Sequence, residues 1–477
     1  MLGVIVAVVM HCRAGTHAKG FIVGMAAVSA DAAVFVWRSN EGQPTSWIGR
    51  VDGHGDAVWV QPIPNVATST GGTGPLAIVD GVAVVRYGHV VDYHAIDSSA
   101  IAFDLTDGHV LWDHVLTPLT PHKTDDGQEI WPETLPTYVS DVPAGKALFS
   151  FAEDGRKYDS VVETRTIART GAVTWAHPSV SKHFSPIAFG DDFALHYGST
   201  AWLTTGRTGT VRTLKSWGTG CTLGIEYLVL EQTDTDRGAR LVAYASADAK
   251  PRVIAANFDV FDGYPYVRAC GRQGDHLVFL VESSKMTGDV VTQVVEAIVT
   301  DREGKLLHRI EVGHGPLIME TPMMKDPAHT TFGGEMPRFT LFPDSSEKTL
   351  VMVDLETGAI VWRSKPDSSL LYGELFHVGT QWIWSDGAPA PTIAVFDGVT
   401  GELTAAVNAY SYQGVLTFAG TTAAIATRDT LWLHTGDWTT PDDAHIAVLD
   451  LATLTPRFVR AIKVTDATAA VRTKLGL

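Results

Sequence analysis

The sequence predicts an all-β chain folded as one ring of four-stranded antiparallel blades. Three observations predict it: a glycine-to-tryptophan spacing that recurs along the chain, apolar strand-like runs broken by turn residues, and almost no helical periodicity. The spacing is clearest in Gly55/Trp59, Gly108/Trp112, Gly171/Trp175 and Gly358/Trp362. In the fullest copy, Asp354 to Trp362, an alternating apolar strand runs into a tight turn and a second strand begins. The turn glycine permits a positive φ, and the Trp offers a large apolar surface to a neighbouring sheet. Such a unit, repeated along a chain, means a β-propeller.

The units follow in order. The first is expected as strands at 21–28, 33–38, 46–51 and 57–61. The second spans 76–115, the third 137–177, and a compact pair covers about 185–215 and 220–256. The sixth spans 266–312 with a long hairpin near Thr287, the seventh ends at Lys365, the eighth covers 370–407 and the ninth 414–462. Degenerate copies keep the register: Gly209 leads to Thr213, Ala249 to Val253, Gly304 to His308, Gly401 to Ala405 and Leu454 to Phe458. The slots recur roughly every 40 to 60 residues, close to the length of a four-stranded blade. Nine units exceed the usual ring, so the expectation is eight blades within a range of seven to nine. Either the compact pair or the Met-rich, Pro-broken stretch 316–340 would then be miscounted.

Domain organisation is correspondingly simple. Residues 21–462 form the propeller, and 463–477 a tail with one helix expected at 466–475, capped by Thr465 or Asp466. Residues 1–20 are an N-terminal apolar segment. Its run 2–10 is far short of the roughly 20 residues that span a membrane, so no transmembrane span is evident. It reads as a signal or anchor remnant, or as a strand. No Lys or Arg precedes the run, and His11 stands before Cys12 where a lipobox has a small residue.

Composition narrows the function. Of 477 residues, 45% are hydrophobic and 19% charged, without a disordered block. With 36 basic and 53 acidic residues the net charge is −17, which argues against nucleic acid, whose binding requires phosphate neutralisation. An acidic surface suits cations or a basic partner.

The Asp-x-x-Thr-Gly-x-x-x-Trp run at Asp354 to Trp362, with the near match Asp104 to Trp112, resembles the blade signature of the PQQ-like (quinoprotein-type) β-propeller repeat family. WD-type repeats match less well, because Gly88-His89 and Trp112-Asp113 are not repeated. The resemblance implies a ring of blades, often eight, with Trp59, Trp112, Trp175 and Trp362 packed between them and Gly55, Gly108, Gly171 and Gly358 in the turns. Catalytic members carry adjacent cysteines over the cofactor, an Asp base and calcium ligands. Here the three cysteines, Cys12, Cys221 and Cys270, are all apart, which points to a non-catalytic member without a cofactor. Cys221 and Cys270 fall in neighbouring inner strands. Such strands are usually too far apart for a disulfide, so two buried thiols are expected.

Other chemistry is sparse. The 18 histidines include His54, His89, His94, His109, His114 and His122 in turns or at strand ends. Asp92 and His94 share a strand face and are weak metal candidates. Asp234 and Asp236 precede Gly238 loosely as in a calcium loop, but the distal Glu is missing. There is no nucleophile elbow, phosphate loop or His-Glu-x-x-His run. The expectation is therefore a binding or scaffold propeller for a protein partner, in the periplasm, envelope or cell surface, with a cytoplasmic place still open. The weight is against an enzyme. The alternative is a quinoprotein-like oxidoreductase, or another enzyme with a site at the channel mouth.

Overall fold

A computed structural model describes residues 20–477 apart from 40–45, 68–75, 119–121, 124–128, 131–139, 143–145, 153–160, 180–186, 206–210, 234–238, 257–264, 315–335, 368–373, 386–391, 412–422, 435–445 and some single or paired positions. In the first sheet, strands Gly20–Ser29, Ala32–Ser39, Ser46–Asp52 and Ala57–Ile63 pair antiparallel in chain order. Ala32 to Trp37 is buried throughout, because alternate side chains enter different cores. Val34 and Val36 pack towards the second sheet, while Ala33, Phe35 and Trp37 pack on Trp432, Ile446 and Val448 of the ninth. A sheet covered on both faces needs apolar residues on both, which is why these strands read as continuous apolar runs.

The pattern repeats. The second sheet has its first strand in two pieces, Val66–Ala67 and Leu76–Val79, followed by Val82–Gly88, Asp97–Asp104 and Val110–Pro118. The third runs from Ser140–Val142 to Val173–Ser179, the fourth from Ile187–Phe189 to Val211–Lys215 and the fifth from Cys221–Leu223 to Arg252–Ala255. The sixth is the longest, with Pro265–Gln273, His276–Thr287, Val290–Thr300 and Leu306–His314. Three strands of the seventh are described, Phe339–Asp344, Thr349–Asp354 and Ala359–Arg363. The eighth runs from Glu374–Val378 to Leu403–Ser411 and the ninth from Ala423–Ala426 to Pro456–Arg460.

Among the described residues, then, nine sheets of three or more strands succeed one another, one more than the eight expected and at the top of the range the repeats allow. The compact pair at 187–215 and 221–255 is two complete four-stranded sheets, so short connections, not a miscounted unit, explain its length. First strands touch one another: Gly20–Ser29 meets Leu76–Val79, Cys221–Leu223 meets Pro265–Gln273, and Ala423–Ala426 returns to Gly20–Ser29. They face the axis, the last strands face outward, and the chain is a β-propeller.

The tail opens with a strand, Ile462–Asp466, that pairs on the outer edge of the eighth sheet at Leu403–Ser411. Helix α1, Thr468–Leu475, follows and buries Val471 and Leu475 against Trp382, Trp384 and Leu350. The Asp466 carboxylate accepts the Thr468 N–H at 2.9 Å, and Gly476 ends the helix at φ 78°. No helix among the described residues is long and apolar enough to cross a membrane.

Cys270 corrects the expectation of free thiols, since it is disulfide-bonded. The physical reason is local: the Val267 N–H donates to the Trp217 carbonyl at 2.9 Å, so a backbone hydrogen bond joins the inner edges of the fifth and sixth sheets a few residues before Cys270.

Candidate functional site

The repeated turn between the last two strands of a sheet concentrates the charged chemistry of the described chain. In the second sheet Asp104 opens it. Its carboxylate accepts the Thr106 N–H at 2.8 Å, and its carbonyl accepts the Gly108 N–H at 2.8 Å. Asp354 does the same with Glu356 and Gly358, Asp397 with Val399 and Gly401, and Asp450 with Thr453 and Leu454. Asp52 and Asp301 hold equivalent turns in the first and sixth sheets. The hydrogen-bonded turn then places glycine at positive φ, 75° at Gly108 and 72° at Gly358.

That glycine is the floor of an inter-sheet latch. A Cβ on Gly108 would lie 2.5 Å from the Trp59 ring of the preceding sheet, so only glycine admits the ring. The Trp59 indole N–H donates to the Leu105 carbonyl at 3.0 Å, and Arg50 donates to the same carbonyl at 2.8 Å. Trp112 lies under Gly171 in the same way, and His114 stacks on it at 5.1 Å between ring centroids. Trp362 is half-buried and donates to the Gly401 carbonyl at 2.9 Å. The side chain of Trp175 lies outside the described residues, although its backbone pairs with Arg165. Degenerate copies complete the set: His308 packs on Gly358, and Phe458 of the ninth sheet packs on Gly55 of the first.

Electrostatics follow from these roles. The Thr106 N–H, with Arg169 reaching over from the third sheet at 3.1 Å, holds the Asp104 carboxyl below the usual carboxylate range. Arg338 does this for Asp354 through two hydrogen bonds, at 3.0 and 2.8 Å. In the fifth sheet the buried Glu231 accepts from the Tyr244 hydroxyl and from Arg240 Nε at 2.7 Å. Burial, followed by that carboxylate, pushes the Tyr244 phenol far up, which keeps it a neutral donor and no nucleophile. Burial pushes the Arg86 guanidinium down to about 9, so it stays charged at neutral pH.

Among the described residues, no group of three or more His, Cys, Asp or Glu converges on a position that could hold a metal ion. Asp92, Asp234, Asp236 and His89 lie outside the described residues. His94 sits in the two-residue strand His94–Ala95 opposite Val90–Val91, its side chain also outside the description, as is that of His122. His109 contacts Asp107 at 2.6 Å on the surface, and His54 meets the edge of Phe458, so both belong to turns and seams. The turn aspartates Asp52, Asp301 and Asp450 were not singled out by the sequence reading. The signal that finds them is an Asp three or four residues ahead of the slot, present at Gly55, Gly108, Gly304, Gly358, Gly401 and Leu454 and missing at Gly171, Gly209 and Ala249.

No family model matches the chain, and no curated protein matches it. Solved structures resemble it at low identity. BamB from Moraxella catarrhalis is 12% identical over 75% of this chain and 97% of its own, with a TM-score of 0.39. A eukaryotic initiation factor is 10% identical over 88% and 93%, at 0.45. A europium-containing methanol dehydrogenase is 11% identical over 87% and 83%, at 0.38. These are likenesses of fold class at most, and none bears on what this chain binds.

Proposed function

We propose that the chain is a non-catalytic binding propeller that holds a protein partner outside the cytoplasm, in the periplasm, envelope or at the cell surface. The observation that carries this reading is the employment of the described charged groups. Asp104, Asp354, Asp397, Asp450, Glu231 and their arginines are committed to turns and seams, where they stiffen a ring and do not converge on a substrate-sized site. A stiff ring with a large surface suits partner binding, because little conformational entropy is lost on docking. The net charge of −17 favours a basic partner surface. The disulfide at Cys270 supports an oxidising compartment, since structural disulfides persist there and are rare in the cytosol.

Cross-linking in the native source, followed by affinity capture and mass spectrometry, tests the reading. A stoichiometric protein partner that is lost in salt is the expected result. Titration with pyrroloquinoline quinone and calcium, followed by absorbance and dye-linked turnover, is the counter-test. Stoichiometric quinone binding with turnover would replace the scaffold by the oxidoreductase.

A further inference from the structure

We propose that Cys270 is bonded to Cys221, and that this bond is a covalent clasp closing the seam between the fifth and sixth sheets. The inference starts from the backbone. Ser216 bridges Glu231 and Cys221 pairs with Leu228, so residues 216–223 run along Glu226–Gln232 as the innermost edge of the fifth sheet. On its other side the same segment pairs with the sixth sheet, where Gly218 forms a parallel bridge with Val267 and the Trp217 carbonyl accepts the Val267 N–H at 2.9 Å.

Parallel register does the rest. Three residues beyond the bridge stand Cys221 on one strand and Cys270 on the other. The bridge is isolated, yet Cys221–Leu223 still meets Pro265–Gln273 beyond it, and a strand spacing of roughly 4.7–4.9 Å lies within the roughly 4.4–6.8 Å that a disulfide accepts between Cα atoms. Cys270 is 2% exposed and disulfide-bonded. The remaining cysteine, Cys12, lies outside the described residues.

Gly218 makes the approach feasible. It sits at φ 96°, and a Cβ there would run into the backbone of Val267. Gly220 is equally confined, against Tyr227 and the Leu228 carbonyl. Gly218 therefore admits the sixth sheet, and Gly220 lets the chain lie close on its own, just ahead of Cys221. The cross-link encloses the whole fifth sheet, so reduction releases a seam that otherwise rests on backbone bonds and the apolar contacts of Leu228, Leu241, Val267 and Leu277. The seam is redox-sensitive by construction.

The test is peptide mapping of the full chain, purified without reductant and alkylated under denaturing conditions. A single cross-linked pair joining the Cys221 and Cys270 peptides is the expected result. A freely alkylated Cys270, or a Cys12–Cys270 pair, overturns the assignment. Thermal unfolding tests the clasp. Cys221→Ser and Cys270→Ser should lower the midpoint equally, the double variant no further, and reductant should reproduce the shift in the wild type alone. A double variant that falls by the sum of the two singles overturns the clasp. Gly218→Ala should leave both thiols open to alkylation, and a retained cross-link in that variant overturns the close-approach role.

Discussion

Two seams of the ring solve one problem with different residues. Between the first and second sheets, Trp59 lies under Gly108 and its indole N–H donates to the Leu105 carbonyl at 3.0 Å. Where the ninth sheet meets the first, Phe458 lies under Gly55, and Phe has no N–H to offer. Arg460 supplies it: Nη1 donates to the Gly55 carbonyl at 2.9 Å, and the guanidinium sits 5.6 Å over the Phe458 ring. The shared requirement is thus a ring against a glycine and a donor to the hairpin backbone, to which Arg50 adds a second in the first seam. Trp fulfils both parts, and Phe with Arg divides them. The second lesson concerns closure. The described first and ninth sheets are each built from consecutive strands, so side chains close the ring where a shared strand could have done so.

The largest expected effect breaks the first seam. Trp59→Ala removes a ring that is 8% exposed and leaves a cavity, which should cost roughly 3–5 kcal/mol. A denaturant midpoint unchanged by the substitution would exclude the latch. Phe458→Ala should cost less, about 1–3 kcal/mol, because its ring is only half-buried and the apolar contacts of Phe35, Trp432 and Val448 remain. A cost equal to that of Trp59→Ala would mean that closure depends on Phe458 beyond its buried area.

The unequal legibility of the two seams has a physical cause. Trp59, Trp112 and Trp362 announce themselves, because a large ring four residues after a turn glycine is a distinctive pattern. The unit positions were equally readable, since sheets such as the first are apolar on both faces and bounded by turn residues. The count of eight came from the usual ring size and not from any residue, and the register of nine slots already pointed beyond it. The clasp at Cys270 was not legible. It depends on Gly218 admitting the Val267 backbone, a contact between units that no pattern within one unit carries. The weak metal candidates Asp92, Asp234 and Asp236 lie in stretches outside the described residues, whereas the turn aspartates were in plain view and lacked only a reason to be compared.

Arg460 sharpens the comparison at a smaller scale. Arg460→Ala removes one backbone hydrogen bond, a ring contact and an exposed ion pair with Asp56 at 2.9 Å that contributes little, so a loss of about 1 kcal/mol is expected. In a Phe458→Trp background the new indole could donate in its place, and the same substitution should then cost measurably less. Equal costs in the two backgrounds, measured as a double-mutant cycle, would show that the donor is not interchangeable between Trp and Arg.

The smallest effect concerns the turn acid that the latch rests on. The Asp354 carboxylate accepts from Arg338 Nε and Nη2 and from the Glu356 N–H at 3.0 Å, and these partners, Arg338 foremost, hold it below the usual carboxylate range. A folded-state value below the unfolded one makes a definite sign. The stabilisation is fully present above the unfolded value of about 3.9 and is lost as pH falls through the folded value. Asp354→Asn keeps the shape of the turn but does not titrate. Its deficit against the wild type should therefore be constant from neutral pH down to about 5 and shrink as the pH drops below about 4. Arg338 is itself substantially exposed, so salt should narrow the gap at neutral pH as well. Midpoints for both proteins across that range decide it, and a gap that stays constant into acid would mean that the turn depends on the geometry of Asp354 and not on its charge.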